Sequence, residues 1–398
     1  MFKRIAFLLL PLFLCVQMTD TATAADYCEC PDELAHAERQ LRFDAVLDTY
    51  KTMGASIVLI KDGRIVDTFQ YGYADREKKI PVGSDTYFRV ASISKMVSAV
   101  AVMQLLEQGY FSLDQDIGEI LGFPVVDPLF PNFPITLRQI MTHTASLLDT
   151  YHYKEATRQD GKIELLRHVL NGNYTYLDFS KWEPGSHVAY SNFGGGLLGS
   201  VIEETSACTV DEYMNWKVFF PLGIGGGYHV PCLPYGAMIA KIYNERSGSM
   251  TLDLNGQADE HFDAEPETAY VHTAGALNMT AEGLAKICIA LAGDGSVYGV
   301  RILKPETVEM MREVQNGIGS VSCESGRGLN LNIVENRLVR GRRLYGHQGK
   351  AYGMICAAYF DPADQTGAIL LTNGCDTATV DSIAKIARAV ITLAYEFL

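Results

Sequence analysis

Apolar residues recur at helical spacing in two places in the first quarter of the chain. Over residues 31–52 they lie on or near one face, which predicts an amphipathic helix. Over residues 92–108 they occur nearly all round, as in a helix buried inside a domain. Between these helices the pattern predicts two strands, at 55–60 and 65–71, joined by an Asp-Gly turn.

The middle of the chain alternates between helical patterns and loops. Helices are predicted at residues 113–121, 136–142, 163–170, 194–204, 210–220, 281–292 and 305–314. The stretch 224–270 is irregular and rich in Gly, Asn, Asp and Glu. The glycine run at 223–227 lacks the preceding strand and the following helix of a nucleotide-binding loop, so a plain loop is predicted there.

The last quarter of the chain returns to strand patterns. Strands are predicted at 330–334, 344–346, 353–360 and 366–372, and an apolar helix at 380–398. Because strands occur at both ends of the chain with helices between them, we predict an α+β fold. One antiparallel sheet, flanked by helices, would be built from both chain ends, with a mostly helical lobe inserted. We expect the sheet lobe at 25–110 and 272–398 and the helical lobe at 111–271, with the helix of Ser92 at their junction.

The N-terminus has the three parts of a secretory signal. Lys3 and Arg4 are followed by an apolar stretch, 5–16, that is too short to cross a bilayer, and Ala-Thr-Ala at 22–24 matches a cleavage site. We predict that residues 1–24 are removed as a signal peptide and that the protein is exported to the periplasm or the cell exterior. No later stretch is long and apolar enough for a membrane span.

The cysteines fit that location. One of the nine lies in the predicted signal peptide, and the other eight permit disulfides in an oxidising compartment. Their pairing stays open, because sequence does not give connectivity. Cys288 lies in an apolar helical pattern and is predicted to be a buried free thiol. No pair of CxxC motifs occurs, so no metal site is expected.

Composition and charge narrow the class of protein further. The 398 residues are 48% hydrophobic and 20% charged, as in a globular protein large enough for two lobes. The net charge is −14, and the Lys/Arg residues cluster only in the short run 340–343. Nucleic acid is therefore not expected as a partner. The oligomeric state is left open.

Ser92 and Lys95 are the first residues that suggest catalysis. They lie three residues apart at the start of the buried helix, so they share one face. The helix amides there point at any charge that develops on the target of the hydroxyl. A hydroxyl beside an amine can act as a nucleophile beside a base. A serine at a helix start is also a favoured cap, so the pair alone does not separate the two interpretations.

Two later stretches carry further candidates. Tyr190 and Asn192 lie between a turn sequence and the glycines 194–196, where a phenol could accept a proton and an amide could bind a substrate amide. His347 follows a predicted strand and could donate a hydrogen bond or a charge, and Gly349 would let another backbone approach closely. Taken one at a time, a packed aromatic, a helix cap and a hairpin histidine explain these residues at least as well.

Together the three stretches resemble a known family. Ser92-x-x-Lys95, Tyr190-x-Asn192 and His347-x-Gly349 occur in the order found in the penicillin-recognising serine hydrolases. The branch is the one with class C β-lactamases, D-alanyl-D-alanine carboxypeptidases, D-aminopeptidases and related esterases. Three other stretches resemble family elements: 141–147 (its THTSGL, with Ala-Ser in place of Ser-Gly), 221–224 (its PLGM) and 274–277 (its glycine-rich turn). The likeness covers about residues 40 to 375 and implies a β-lactamase/transpeptidase-like fold.

The resemblance implies a role for each catalytic candidate. Ser92 would be the nucleophile that attacks a carbonyl carbon and forms an acyl-enzyme. Lys95, desolvated at the floor of the cleft, would accept the serine proton. Tyr190 would share the proton relay and protonate the leaving group. No cofactor is implied, because the relay consists of side chains.

The resemblance also implies how a substrate would be held. Asn192 would bind the acyl amide of the substrate, and His347 would face a substrate carboxylate or the relay. The oxyanion would lie between the backbone N–H groups of Ser92 and Lys350. The Lys350 side chain would point to the opposite face of the strand from Gly349.

The third motif departs from that of class C β-lactamases, which carry Lys-Thr-Gly where this chain has His-Gln-Gly. An imidazole, usually mostly neutral at about pH 7, replaces an ammonium that could pair with a β-lactam carboxylate. We therefore predict an exported serine hydrolase acting on peptide, amide or ester bonds of a small-molecule or peptide substrate, D-amino-acid peptides included. The alternatives are a β-lactamase and a catalytically silent penicillin- or peptidoglycan-binding protein.

Overall fold

The structure is a computed structural model that describes residues 31–150, 179–246, 248–254, 272–315 and 326–398. The helices are α1 (Pro31–Thr49), α2 (Ile93–Glu107), α3 (Ile117–Leu121), α4 (Leu137–Met141), α5 (Asn192–Ser206), α6 (Val210–Met214), α7 (His272–Gly275), α8 (Ala281–Ala292), α9 (Pro305–Arg312) and α10 (Lys385–Ala394). A π-helical turn, Asn215–Phe219, continues α6, and a 3-10 turn covers Val230–Cys232.

The strands fall into one large sheet and several short pairs. They are β1 (Gly54–Lys61), β2 (Arg64–Asp75), β3 (Ile80–Pro81), β4 (Phe88–Arg89), β5 (Gly226–Gly227), β6 (Tyr243–Arg246), β7 (Ser249–Leu252), β8 (Asn278–Met279), β9 (Ser296–Val297), β10 (Val300–Arg301), β11 (Gly326–Arg327), β12 (Asn332–Glu335), β13 (Arg343–Ala351), β14 (Met354–Asp361), β15 (Thr366–Thr372), β16 (Thr379–Val380) and β17 (Ile383–Ala384).

The large sheet joins the two ends of the chain. Its eight strands are antiparallel, in the order β11-β12-β13-β14-β15-β1-β2-β3. The junction is the pairing of β1 with β15, where Ala55 lies opposite Thr372. The predicted α+β fold, with a sheet made from both chain ends and helices from the middle of the chain, is confirmed. The division at residues 111 and 271 stays a prediction.

The predicted turn between the first two strands also forms. Asp62 and Gly63 both have positive φ, 51° and 67°, between the paired residues Lys61 and Arg64. Two consecutive left-handed residues make a type I′ turn, whose twist matches that of the flanking strands. The Asp-Gly sequence therefore fixes the register of β1 on β2.

Helices cover both faces of the large sheet. Successive residues of β1 point to opposite faces, so Val58 belongs to the core made with α2, α5 and α8, and Ile57 to the core made with α1 and α10. As predicted, α2 is enclosed on nearly every side, with 12 of its 15 residues buried. Its first turn is consequently held in one position by packing.

Several predicted elements differ from the structure, three of them because of strand pairings that the sequence did not predict. The last helix begins at Lys385 instead of residue 380, because β16 and β17 pair across Asp381 and Ser382, both with positive φ. The irregular stretch contains the hairpin β6–β7. The glycine run is a loop only in part, because Gly226–Gly227 pairs with β8. These pairings depend on contacts that no local pattern encodes.

Some predictions concern residues that the structure does not describe. They include the signal peptide with its one cysteine, the helix at 163–170 and three of the eight remaining cysteines. The other five cysteines are free, and Cys288 is buried as predicted. Across the described ranges, no helix combines the length and the apolar character that crossing a membrane requires.

Candidate active site

Ser92 lies at the joint between β4 and α2. The preceding residue, Ala91, has φ 47°, a left-handed conformation that costs a non-glycine residue about 1–2 kcal/mol. Ser92 is the N-cap of α2, yet its side chain makes no capping hydrogen bond. Its Oγ lies 3.2 Å from Lys95 Nζ instead. The structure therefore does not support the ordinary capping interpretation of this serine.

Lys95 is completely buried, and its Nζ has three partners. It contacts Asn192 Oδ1 at 2.8 Å, the Ala274 carbonyl oxygen at 2.6 Å and Ser92 Oγ at 3.2 Å. The two shorter contacts are to oxygens that only accept hydrogen bonds. They occupy two N–H bonds of the amine and leave its third tetrahedral direction facing the serine hydroxyl. An uncharged amine held in this way directs its lone pair at the serine proton.

Two glycines make room for this pair. A Cβ on Gly195 would lie 2.8 Å from Lys95 Cδ and closer still to Cε, so only glycine lets the lysine side chain lie this close to α5. A Cβ on Gly349 would overlap the Val90 carbonyl oxygen and lie 3.0 Å from Ala91 Cβ. Strand β13 therefore packs directly on the peptides that precede the nucleophile. The sequence indicated a close approach at Gly349, but it gave no role to Gly195.

Tyr190 stands at the opening of the site. It is 41% exposed, and its ring centre lies 5.1 Å from Lys95 Nζ, which excludes a packed core aromatic. The loop before it is tied to the 141–147 stretch, because Ala189 N donates to the His143 carbonyl at 2.8 Å and Gly185 N to that of Thr144 at 2.7 Å. The stretch that resembles THTSGL therefore positions Tyr190.

His347 lies within β13 and is buried on the inner side of the site, with its ring 6.4 Å from that of Tyr190. Its Nδ1 lies 2.7 Å from the Gln348 carbonyl oxygen, so Nδ1 carries the hydrogen and Nε2 is a bare acceptor. Burial, followed by the nearby Lys95 and Arg327 side chains, lowers the pKa of His347 to about 3. The ring is therefore neutral and supplies no charge to the site, while its Nδ1–H donates to the Gln348 carbonyl.

Lys350 points away from the site, as expected from strand alternation. Its Nζ donates to the Thr377 carbonyl at 2.9 Å on the exposed face of β13. Its ammonium therefore does not replace the lysine of the Lys-Thr-Gly motif. Only its main chain, next to Gly349, remains close to the Ser92 segment.

Three further residues of the site were not predicted from the sequence. His143 is buried with φ 57°, its ring lies 4.4 Å from that of Tyr190, and burial followed by the nearby cations holds its pKa well below the usual value. Arg327, on β11, lies 5.9 Å from the Tyr190 ring centre. Asp149 accepts both N–H groups that Asn192 offers, one from the main chain and one from the side chain. The sequence feature that could have indicated them is the 141–147 stretch, which contains His143 and ends two residues before Asp149.

Comparisons with known proteins bear on the family and the fold. A family model described as Beta-lactamase matches residues 40–392. "Penicillin-binding protein 4" of Amycolatopsis lactamdurans is 24% identical over 343 residues, 85% of each chain. The octameric penicillin-binding protein homologue from Pyrococcus abyssi has a TM-score of 0.69 at 23% identity, covering 90% of this chain and 77% of that one. The D-amino acid amidase from Ochrobactrum anthropi SV3 has a TM-score of 0.65 at 19% identity, covering 90% and 98%. At these identities the structural likeness establishes the fold alone.

Proposed function

The chain belongs to the beta-lactamase family, and on this premise we propose that it is a serine hydrolase whose acyl-enzyme forms on Ser92. The observation that carries the proposal is the buried Lys95 amine, 3.2 Å from Ser92 Oγ and fixed by two acceptors on its other sides. A protein that only bound its ligand would not need a buried amine beside a hydroxyl. A catalytically silent binding protein is therefore the weaker alternative.

The reaction divides into acylation and deacylation. Ser92 Oγ bonds to the substrate carbonyl carbon as its proton passes to the uncharged Lys95 amine, and the C=O electron pair moves to oxygen. The backbone N–H groups of Ser92 and Lys350 stabilise that oxyanion. When the intermediate collapses, the bond to the leaving group breaks, and the leaving group takes the proton from Lys95 through the Tyr190 hydroxyl. Water then repeats the sequence on the acyl-enzyme and releases Ser92.

An amide or ester without a carboxylate is the substrate class that the neutral third motif favours, while Arg327 keeps one cation beside Tyr190. A β-lactam or a C-terminal D-alanyl peptide carries a carboxylate, which the Lys-Thr-Gly lysine would pair with. Here His347 is neutral and buried, and the Lys350 ammonium is bonded to Thr377 on the other face. We propose peptide, amide or ester substrates, with D-amino-acid amides and peptides first, as the amidase relative suggests. A β-lactamase is the alternative. Export through the 1–24 signal belongs to this proposal, and a mature N-terminus at Ala25 would support it.

A fluorescent phosphonate probe with intact-mass analysis tests the nucleophile. Wild-type protein should gain one adduct, and Ser92→Ala should gain none, because the phosphonate bonds to the attacking hydroxyl. Ser98→Ala is the matched control: this serine lies on the same helix, bonded to Tyr228, and its loss should leave labelling intact. Label on Ser92→Ala, or none on folded wild-type protein, would sink the proposal.

The substrate class is tested with a matched panel. A D-amino-acid amide and a p-nitrophenyl ester, both without a free carboxylate, are compared with nitrocefin and a D-alanyl-D-alanine peptide. The proposal expects kcat/KM for the two substrates without a carboxylate to exceed kcat/KM for the two carboxylates by about tenfold or more, the scale of one missing charge contact. Faster hydrolysis of nitrocefin would favour the β-lactamase alternative instead.

A further inference from the structure

Asp149 lies outside the predicted motifs and accepts four hydrogen bonds at the start of α5. Its Oδ1 accepts from Ser191 Oγ at 3.1 Å and from Phe193 N at 3.0 Å, and its Oδ2 accepts from Asn192 N at 3.0 Å and Asn192 Nδ2 at 2.8 Å. The same Asn192 side chain accepts from Lys95 Nζ through Oδ1, at 2.8 Å. The carboxylate, the amide and the amine therefore form one continuous chain that ends at the nucleophile.

The carboxylate determines which way round the Asn192 amide stands. An amide has a donor at one end and an acceptor at the other, whereas an ionised carboxylate only accepts. Asp149 can therefore face only the NH2 end of Asn192, and the oxygen end must face Lys95. In the reverse orientation two oxygens would meet at Asp149, and the NH2 group would point at the amine.

That orientation decides what the Lys95 amine can do. With the Asn192 oxygen and the Ala274 carbonyl both accepting, the remaining direction of the amine faces Ser92 Oγ. If the NH2 group of Asn192 faced the lysine instead, it would donate to the amine lone pair. The lone pair would then be unavailable for the serine proton.

We propose that Asp149 is a positioning residue that fixes the Asn192 amide and thereby directs the Lys95 amine at Ser92. The proposal rests on the proposed function, in which Lys95 takes the serine proton. Asp149 also places a negative charge at the start of α5, where it stabilises the helix. The test must therefore separate positioning from stability.

The test compares Asp149→Asn with the double variant Asp149→Asn/Asn192→Asp. Both variants lose the Asp149 carboxylate beside the α5 amides. A difference in rate between them therefore shows the effect of the side chain at position 192. In the single variant the Asn192 amide is free to turn its NH2 group toward Lys95. In the double variant an oxygen faces Lys95 whichever way the side chain turns.

The expected results are rates, with melting temperatures measured alongside to show that folded proteins are compared. In Asp149→Asn, phosphonate labelling of Ser92 and kcat for the ester fall about 100-fold, the lower end of what a general base contributes, while KM changes less than about threefold. The double variant recovers at least about tenfold at its own pH optimum. That optimum lies at higher pH, because a carboxylate beside the amine favours its protonated form.

Thr280→Ala is the matched stability control. Thr280 caps α8 by accepting from Gly283 N at 3.1 Å, so its loss weakens a helix start away from Ser92 and should leave the rate unchanged. The inference is overturned if Asp149→Asn keeps the wild-type rate, or if the single and double variants lose the same rate. If wild-type protein takes no label on Ser92, the proposed function fails, and the positioning role fails with it.

Discussion

At the scale of single residues, the site depends on an absent side chain as much as on present ones. The Lys95 side chain lies against α5 at the point where Gly195 has no Cβ. The neighbouring Gly194 has no such task, because a Cβ there would meet Ser191 at an ordinary 3.8 Å. The two adjacent glycines are therefore not equivalent, although the sequence presents them alike.

Gly195→Ala should abolish most of the activity while Gly194→Ala keeps it. The new methyl group displaces the lysine, and a displacement of about 1 Å from the reacting atoms can cost about 100-fold in rate. Alanine is the better helix former, so Gly194→Ala should be neutral or slightly stabilising. The measurement is kcat for the ester with thermal unfolding of both variants. Equal activity in the two would contradict the proposed path of the lysine.

His347 shows what a motif can and cannot predict at this scale. The sequence located the residue correctly beside Gly349, because the order of the three motifs is written in the chain. Its charge and tautomer depend on Lys95 and on Arg327, which reaches the site from β11, and on the carbonyl of Gln348. These neighbours meet only in the folded protein, so the sequence gave the position of the residue but not its chemistry.

At the scale of elements, β13 is the strand that closes the site. The sequence predicted only residues 344–346, because the glycines interrupt the alternation of apolar residues. In the structure the strand continues to Ala351 through its pairing with β14, where Gly349 lies opposite Cys356. Main-chain hydrogen bonds maintain a strand that side-chain patterns do not reveal.

Gly349→Ala should separate β13 from the start of α2. The added methyl group would overlap the Val90 carbonyl and press on Ala91, so the oxyanion donors would move apart, with an expected loss of about 100-fold in kcat. Gly63→Ala is a control for stability alone: its φ of 67° makes alanine cost about 1–2 kcal/mol, in a hairpin far along the chain from the motifs. Activity that survives in Gly349→Ala would contradict a close contact at this point.

Local elements were predicted well and paired elements less well. The Asp-Gly hairpin and the buried α2 follow from residues within one segment, so their patterns were sufficient. Strand β5 pairs with β8, about fifty residues away, and glycines alone give no strand signal. The chain from Asp149 to Lys95 likewise joins three separate segments, and the Asn192 orientation could not be read before they met.

At the scale of the molecule, three distant parts of the chain supply the walls of one site. The buried α2 supplies Ser92 and Lys95, the start of α5 supplies Asn192, and the joined sheet supplies His347. The net charge of −14 also affects which ligands approach the site, because it repels anionic ligands at long range. The overall charge and the neutral third motif therefore both disfavour anionic ligands, in agreement with the proposed substrates that lack a carboxylate.

The buried histidines predict how the stability of the whole protein depends on pH. Burial holds the pKa of His143 well below its usual value, and that of His272 and His347 at about 3. The unfolded chain binds protons on these rings near pH 6.5 while the folded protein does not, so stability falls as the pH decreases through 6.5. The His272 and His347 rings should each cost about 2 kcal/mol by pH 5, where carboxylates with unfolded pKa values near 4 contribute little. Urea unfolding at pH 7, 6 and 5 measures how steeply the free energy of unfolding changes with pH. His143→Gln should reduce that slope by about a third, because it removes one of three such groups.

A free energy of unfolding that stays constant from pH 7 to 5 would contradict the burial of neutral rings. A reduced slope in His143→Gln would assign part of the pH dependence to His143, which lies against Tyr190.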